Sequence, residues 1–333
     1  MTILSYNPYH EINWSTINQY KAQLHCHTTE SDGSFAPYEV VDMYHSAGYD
    51  ILQITDHDFG YSSLNPSPTY PWQTFGDGGR APSVLGMIAI QGNEPSVYNH
   101  IISFNNDFSD AYTDERDCIQ KIQSNGGFSW MAHPAWYGRG ASWYATTKKL
   151  FPSLMGLEIF NPFNDSAVNE SLWDNILSIL MPETPFFGFA VDDMHNINHF
   201  EHAYQNVLSS DLTLQETASA IENGQTMMVR GKETPSIQSI EVDEEASTIT
   251  INATDYQSIQ WVSEGINLHT GNVFHYDAFE SSYIRARVVA SPDNLILLQP
   301  FGFLVNIAPE RPAQKKTEKT FPILKPSFVP VLR

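Results

Sequence analysis

The run Leu24-His25-Cys26-His27-Thr28-Thr29-Glu30-Ser31-Asp32-Gly33 is followed, after a helical interval, by Thr55-Asp56-His57-Asp58. His25 and His27 stand at i and i+2 at the end of an apolar run, and in a strand that spacing turns both imidazoles to one face. Asp32, shortly beyond, and His57, at the end of the next expected strand, can converge on the same spot. Imidazole crowded with carboxylate suits divalent metals better than it suits a hydrophobic core. The chemistry expected is that of a metalloenzyme.

The chain has 12 His, and their placement says more than their number. His25, His27, His57, His100, His133, His195 and His199 each fall near an expected strand end or the loop after it, whereas His10, His45, His202, His269 and His275 do not. The elements that must position them alternate. Strands are expected at 21–25, 50–55, 85–91, 100–104, 128–132, 156–160, 186–191, 205–208 and 226–229. Helices are expected at 38–47, closed by Gly48, at 114–125, closed by Gly126-Gly127, and at 167–180 and 214–223. Alternation of this kind predicts βα units around a parallel sheet or barrel, with catalytic residues at the carboxyl ends of strands.

Two segments interrupt the pattern. Residues 59–82, rich in Pro, Gly, Ser and Tyr, directly follow His57 and read as a substrate-facing lid. Residues 135–147 follow His133 and carry Trp136, Tyr137, Arg139, Trp143 and Tyr144. That aromatic loop is expected either to wall a pocket or simply to pack itself down. After Pro235 the pattern becomes short, alternating and β-branched, at 237–242, 248–253, 259–263, 272–276, 283–289 and 295–299, which predicts a small antiparallel sheet or sandwich. The expected division is a barrel over 1–234, a small C-terminal all-β domain over 235–308, and an irregular Pro- and Lys-rich tail over 309–333.

A length of 333 residues suits one large domain and a small one. With 17 Lys+Arg against 38 Asp+Glu the formal net charge is −21, which argues against binding long nucleic acid or an anionic membrane. No apolar run approaches a bilayer span, and the first residues lack a signal pattern. The 2 cysteines, Cys26 and Cys118, suggest no disulfide framework, so cytoplasm is the expected compartment.

In chain order the motifs are His25-x-His27, Asp32, Thr55-Asp56-His57, Gly92-Asn93-Glu94, His100, Ala132-His133-Pro134, Gly156-Leu157-Glu158 and Asp193-Met194-His195. This ordered set, spanning about Gln23 to His195, resembles the polymerase and histidinol phosphatase (PHP) family. The resemblance implies an α/β fold, a distorted (β/α)7 barrel with a metal cluster at its strand ends. It implies two or three divalent ions, manganese, zinc or iron. One would be held by His25, His27, Glu94 and Asp193, a second by Glu94, His100 and His133 with Glu94 bridging, and a third by Asp32, His57 and His195. Asp193 is preferred to Asp192 because Asp193-x-His195 puts both side chains on one face. At His100 the alternative is an Asn99-His100 turn packed on Tyr98. Glu158 is expected to hydrogen-bond at the rim, and Cys26 to point into the barrel wall.

The expected reaction is hydrolysis of a phosphoester on a small phosphorylated substrate by metal-activated hydroxide, with Glu94, Asp193 and His195 in the catalytic machinery. Arg139 is the first candidate for a phosphate contact and Arg80 the second, each as readily an ordinary surface arginine. Two alternatives stand beside this: a carboxylic ester or amide hydrolase of the same superfamily, and a noncatalytic, metal-stabilised binding module.

Overall fold

The computed structural model describes residues 2–58, 81–164 and 166–305. The first elements are strands β1 (Thr2–Tyr6) and β2 (Asn18–Gln23), helix α1 (Pro37–Ser46), and the short strands β3 (Ile51–Leu52), β4 (Ile88–Ala89) and β5 (Gly92–Asn93). Next come β6 (Ile101–Phe104), α2 (Glu115–Ser124), β7 (Phe128–Met131), α3 (Ala141–Leu150), β8 (Leu154–Phe160), α4 (Ser166–Leu180) and β9 (Phe187–Ala190). After these lie β10 (Ala203–Ser209), α5 (Leu214–Glu222) and β11 (Thr226–Arg230). The rest is strand: β12 (Ser236–Asp243), β13 (Thr248–Thr254), β14 (Ser258–Ser263), β15 (Ile266–Thr270), β16 (Val273–His275), β17 (Tyr283–Ser291), β18 (Asn294–Leu298) and β19 (Phe301–Val305).

The helices form where the sequence puts an apolar stripe between stop signals. In α2 the Asp114 side chain accepts the Asp117 N–H, while Cys118, Ile119 and Ile122 turn inward. In α5 Thr213 caps Glu216 in the same way.

The chain is an α/β protein with mixed sheets. β2, β3 and β4 run parallel, and β10 pairs antiparallel with β2 on their other side. In a second sheet, ordered β5-β6-β7-β8-β9, the last three strands are parallel and the first two pairings antiparallel. Isolated parallel bridges join the two sheets at Cys26↔Met194 and His57↔Glu94. The seams therefore lie in the segments that carry the metal-ligand candidates. Among the described residues the strands do not form one regular run of seven parallel βα units. Antiparallel pairings at β6 and β10, and strands as short as β3, β4 and β5, are the reasons.

Between the sheets sits a core of Leu24, Ile51, Ile90, Phe104, Trp130, Ala132, Met155, Phe189 and Val207, with Trp130 and Phe189 stacked at 4.3 Å. A second core packs α2, α3 and α4 against β6, β7 and β8. A third, around Trp261, Ile249, Ile251, Phe274 and Val288, also takes in Tyr9 from the N-terminal segment. The C-terminal strands are not detached: β18 pairs β11, so one sheet runs from β4 to β1.

Three features depart from the sequence expectation. Residues 135–147, expected as a loop, enter a 3-10 turn at Pro134–Trp136 and then α3. The expected strand 85–91 shrinks to Ile88–Ala89, behind a 3-10 turn at Pro82–Leu85. β1, β15 and β19 were not foreseen, and β1 pairs antiparallel with β19. The expected lid at 59–82 falls, up to residue 80, outside the described residues, as do Arg80 and the tail expected over 309–333.

Candidate metal centre

His25 and His27 lie just past the end of β2, on the face opposite Leu24 and Cys26, and both are fully buried. Their Nε2 atoms are 3.1 Å apart. Facing them are Asp193 Oδ1, at 3.3 Å from His25 Nε2 and 3.2 Å from His27 Nε2, and Glu94 Oε2, at 3.5 and 3.3 Å. Four donor atoms thus surround one small volume.

Glu94 is the centre of the arrangement. It follows β5, is fully buried, and each oxygen serves a different side. Oε2 meets His25, His27 and, at 3.0 Å, His57 Nδ1. Oε1 meets His100 Nδ1 at 3.0 Å and His133 Nε2 at 3.3 Å. Asp32 Oδ2 lies 3.3 Å from His195 Nε2 and 3.6 Å from His57 Nε2. Three tight groups could each hold an ion: His27, Asp32, His57 and His195; His25, His27 and Glu94; and His57, Glu94 and His100. These seven residues are among the nine ligands expected from sequence; His27 and His57 each fall in a group to which the sequence reading had not assigned them, and the expected ligands Asp193 and His133 fall in none of the three.

The supporting contacts fix which ring nitrogen faces inward. His25 Nδ1 is 2.7 Å from Glu158 Oε1, so Nδ1–H donates there and Nε2 presents a lone pair. Glu158 Oε2 also accepts the His133 N–H at 2.8 Å and the Asn161 amide at 2.8 Å. Asn161 Nδ2 donates as well to Asp193 Oδ2 at 3.0 Å, leaving Oδ1 for the cluster. His195 Nδ1 donates to the Asp193 carbonyl at 2.9 Å, which aims its Nε2 at Asp32. Asp56 accepts from Thr28 N–H, Thr28 hydroxyl and Ser31 hydroxyl, pinning the turn that delivers Asp32. In that turn a Cβ on Gly33 would overlap the His27 carbonyl, so the close approach requires glycine.

Two candidates adopt left-handed backbone, His133 at φ 26° and Asp193 at φ 43°. Such conformations cost about 1–3 kcal/mol each and concentrate where function demands them. The Asp193 turn is held by its neighbour. Asp192 points away from the cluster, where it accepts N–H bonds from Glu201 (2.9 Å), His202 (2.7 Å) and Ala203 (3.0 Å) and the Tyr44 hydroxyl at 3.0 Å. Asp192→Asn replaces an acceptor with a donor facing these donors. It should lower unfolding free energy by about 1.5–3 kcal/mol in urea denaturation, and an unchanged midpoint would refute the latch.

Charge in the cluster is mutually stabilising. Burial opposes protonation of His25, yet Asp193, Glu158 and Glu94 raise it well above the imidazole range. Burial likewise opposes protonation of His57, but Glu94 and Asp32 raise it to about 11. Burial works against ionisation of Glu94, but His25, His57 and His100 hold it well below the usual carboxylate range. Protons and metal ions therefore compete for the same lone pairs.

Sequence reasoning did not assign a role to the Tyr137 hydroxyl. It accepts the His100 backbone N–H at 3.1 Å and lies 3.1 Å from His133 Nδ1, joining two ligand candidates. Nor did it foresee Asn161. Arg139, read from sequence as a phosphate contact, binds Glu115 at 2.8 Å and lies over the Trp143 ring at 5.2 Å; neither partner belongs to the ligand cluster. His199 sits beside the cluster, with its Nδ1 accepting the His195 N–H at 3.3 Å. Cys26 is buried against Val40 and Tyr44, and burial pushes its thiol well up, leaving it inert.

No family model and no curated protein matches the chain. Among solved structures it is similar to a two-domain protein from Bacteroides vulgatus containing a predicted PHP-like metal-dependent phosphoesterase, at 15% identity and TM-score 0.53, over 91% of this chain and 98% of that one. Weaker similarity links it to the lesion-specific endonuclease EndoQ from Pyrococcus furiosus, at 14% identity and TM-score 0.41, covering 62% and 56% of the two chains. An amidohydrolase from Chromobacterium violaceum matches at 16% identity and TM-score 0.38, over 52% of this chain and 87% of that one. The chain has the fold of the PHP-like two-domain protein.

Proposed function

We propose that the chain is a metal-dependent hydrolase that cleaves phosphoesters on a small substrate. The observation that carries this reading is Glu94: one buried carboxylate with imidazoles at both oxygens. A fit to metal ions is supported by Glu94 Oε2, Asp193 Oδ1 and His57 Nδ1, which are buried and make no well-directed hydrogen bond although other ligand candidates face them at 3.0–3.3 Å.

The proposed ligands are His25, His27, Glu94 and Asp193 for one ion, Glu94, His100 and His133 for another, and Asp32, His57 and His195 for a third. Manganese, zinc and iron all suit this mixture of nitrogen and carboxylate. When bound, such ions supply Lewis acidity toward a phosphoryl oxygen and lower the pKa of a water toward neutrality. The chain's own part is positional. Glu158 and Asn161 orient His25 and Asp193, Asp56 fixes the approach of Asp32, and burial excludes bulk water from the inner ligands. In the same reading the strands of 1–234 in the two bridged sheets form a distorted (β/α)7 barrel, and a β-rich unit assigned to 235–308 continues one of those sheets through β18.

Net charge of −21 favours a small phosphoester over long nucleic acid. Carboxylic ester or amide hydrolysis and a noncatalytic metal-stabilised module are the competing readings. Protein reconstituted with manganese, zinc or iron should hydrolyse a chromogenic phosphomonoester or phosphodiester at least about a thousandfold faster than the chelated protein. Turnover of aryl acetates or anilides alone would move the assignment to ester or amide chemistry. Full metal loading without turnover of any of these would favour the binding module.

A further inference from the structure

Two aromatic side chains stand at the edge of the ligand cluster without a role in holding it. Trp136 closes the 3-10 turn that begins right after His133, and its ring lies 4.5 Å from the His133 ring. It nevertheless remains 55% exposed, unusual for a tryptophan with a fixed geometry. That geometry is fixed by its indole N–H, which donates to the Phe163 carbonyl at 3.1 Å. The Phe163 ring stands edge-on to Trp136 at 5.9 Å, to His195 at 5.3 Å and to His199 at 4.5 Å. The two rings thus span the rim from His133 to His195.

Both are registered to the cluster by short paths. Asn161 accepts the Phe163 N–H at 2.9 Å through Oδ1 while donating to Asp193 through Nδ2 at 3.0 Å. A shift of the Phe163 turn would therefore disturb Asp193. Trp136 is held between His133 and the Phe163 carbonyl. If these rings served only to pack their loops, Trp136 would be expected to bury most of its surface; it leaves more than half in solvent beside the buried ligands. An immobilised, partly uncovered indole next to a reaction centre is a ready stacking surface at little further entropic cost.

We propose that the natural substrate carries a planar aromatic or heteroaromatic group next to its scissile phosphoester, and that this group packs on Trp136 with Phe163 bounding the rim. The proposal rests on the phosphoester reading of the same site. Trp136 is then a specificity residue, favouring nucleotide-like or aryl phosphoesters over aliphatic ones.

The test compares benzyl phosphate with ethyl phosphate, whose leaving alcohols are similarly acidic, on metal-reconstituted wild type, Trp136→Ala and Trp136→Phe. Wild type should prefer the benzyl ester. Trp136→Ala should lose about five- to a hundredfold of kcat/KM on it, the range that stacking contacts give on alanine substitution, and little on the ethyl ester. Trp136→Phe should restore most of the preference. Equal losses on both esters with metal content unchanged, or no benzyl preference in wild type, would overturn the proposal.

Benzylphosphonate and ethylphosphonate give a readout independent of turnover, through quenching of tryptophan fluorescence or calorimetry. If wild type hydrolyses neither ester, nor a chromogenic phosphodiester, the phosphoester reading fails. Tighter binding of benzylphosphonate, lost in Trp136→Ala, would still support the ring site, and equal affinities would refute it.

Discussion

Replacing Glu94 with glutamine is expected to abolish hydrolysis, with a fall of about a thousandfold or more, and to lower metal content by at least one equivalent. The substitution keeps the side-chain volume but removes the charge, and it turns one oxygen into an amide nitrogen. That nitrogen cannot serve as a ligand, and it would face either the Oε1 partners His100 and His133 or the Oε2 partners His25, His27 and His57. His27 and His57 also face two groups, but among the described residues no other candidate meets as many imidazoles as the five around Glu94. His25→Ala and Asp193→Ala should also abolish turnover, although Asp193 meets four imidazoles to Glu94's five. Elemental analysis alongside steady-state kinetics checks this. A Glu94→Gln protein with unchanged metal content and activity within tenfold of wild type would contradict the assignment.

The largest expected effect on stability lies far from the ligands in sequence. Asp174, on α4, accepts Arg285 Nε at 2.8 Å and Nη2 at 2.7 Å, and also the Tyr283 hydroxyl at 2.9 Å. Glu170 adds a contact to Arg285 at 3.2 Å, and the guanidinium lies over the Trp173 ring at 5.2 Å. Arg285 is 1% exposed, so its charge is tolerated only because these groups surround it. Asp174→Ala removes the bidentate acceptor and leaves the buried cation with only the longer Glu170 contact. Breaking one partner of a buried pair costs about 3–5 kcal/mol, and urea unfolding should show a loss of that size. Because α4 belongs to the helix-covered sheet and Arg285 to β17, the loss should appear in a single transition involving the C-terminal strands. A loss below about 1 kcal/mol would mean that the pair is not what ties β17 to α4.

Much of the site is legible in the primary structure because its donors come in short, ordered motifs. His25-x-His27 works through strand periodicity alone, and the structure does turn both imidazoles to one side and Cys26 to the other. Asp193 rather than Asp192 faces the cluster, as the i, i+2 relation to His195 implies. The four expected helices form, with ends shifted by a residue or so, since an apolar stripe between capping and stop signals is a local property. What escapes is non-local or conformational. The pairing of β1 with β19 joins opposite ends of the chain, and no periodicity announces a partner. α3 was obscured because Gly138 and Gly140 precede it and its Trp143 and Tyr144 read as loop aromatics. The left-handed backbone at His133 and Asp193, and the convergence of Tyr137 and Asn161 on the ligands, exist only after folding. Nor does alternation of strand and helix reveal that β6 and β10 run antiparallel to their neighbours.

The central claim, that this cluster is a metal centre, meets its most direct test in metal stoichiometry. Protein stripped with chelator, reconstituted with manganese, zinc or iron and freed of excess ion should retain two or three equivalents per chain by elemental analysis. One equivalent or fewer with every metal tried would contradict the account.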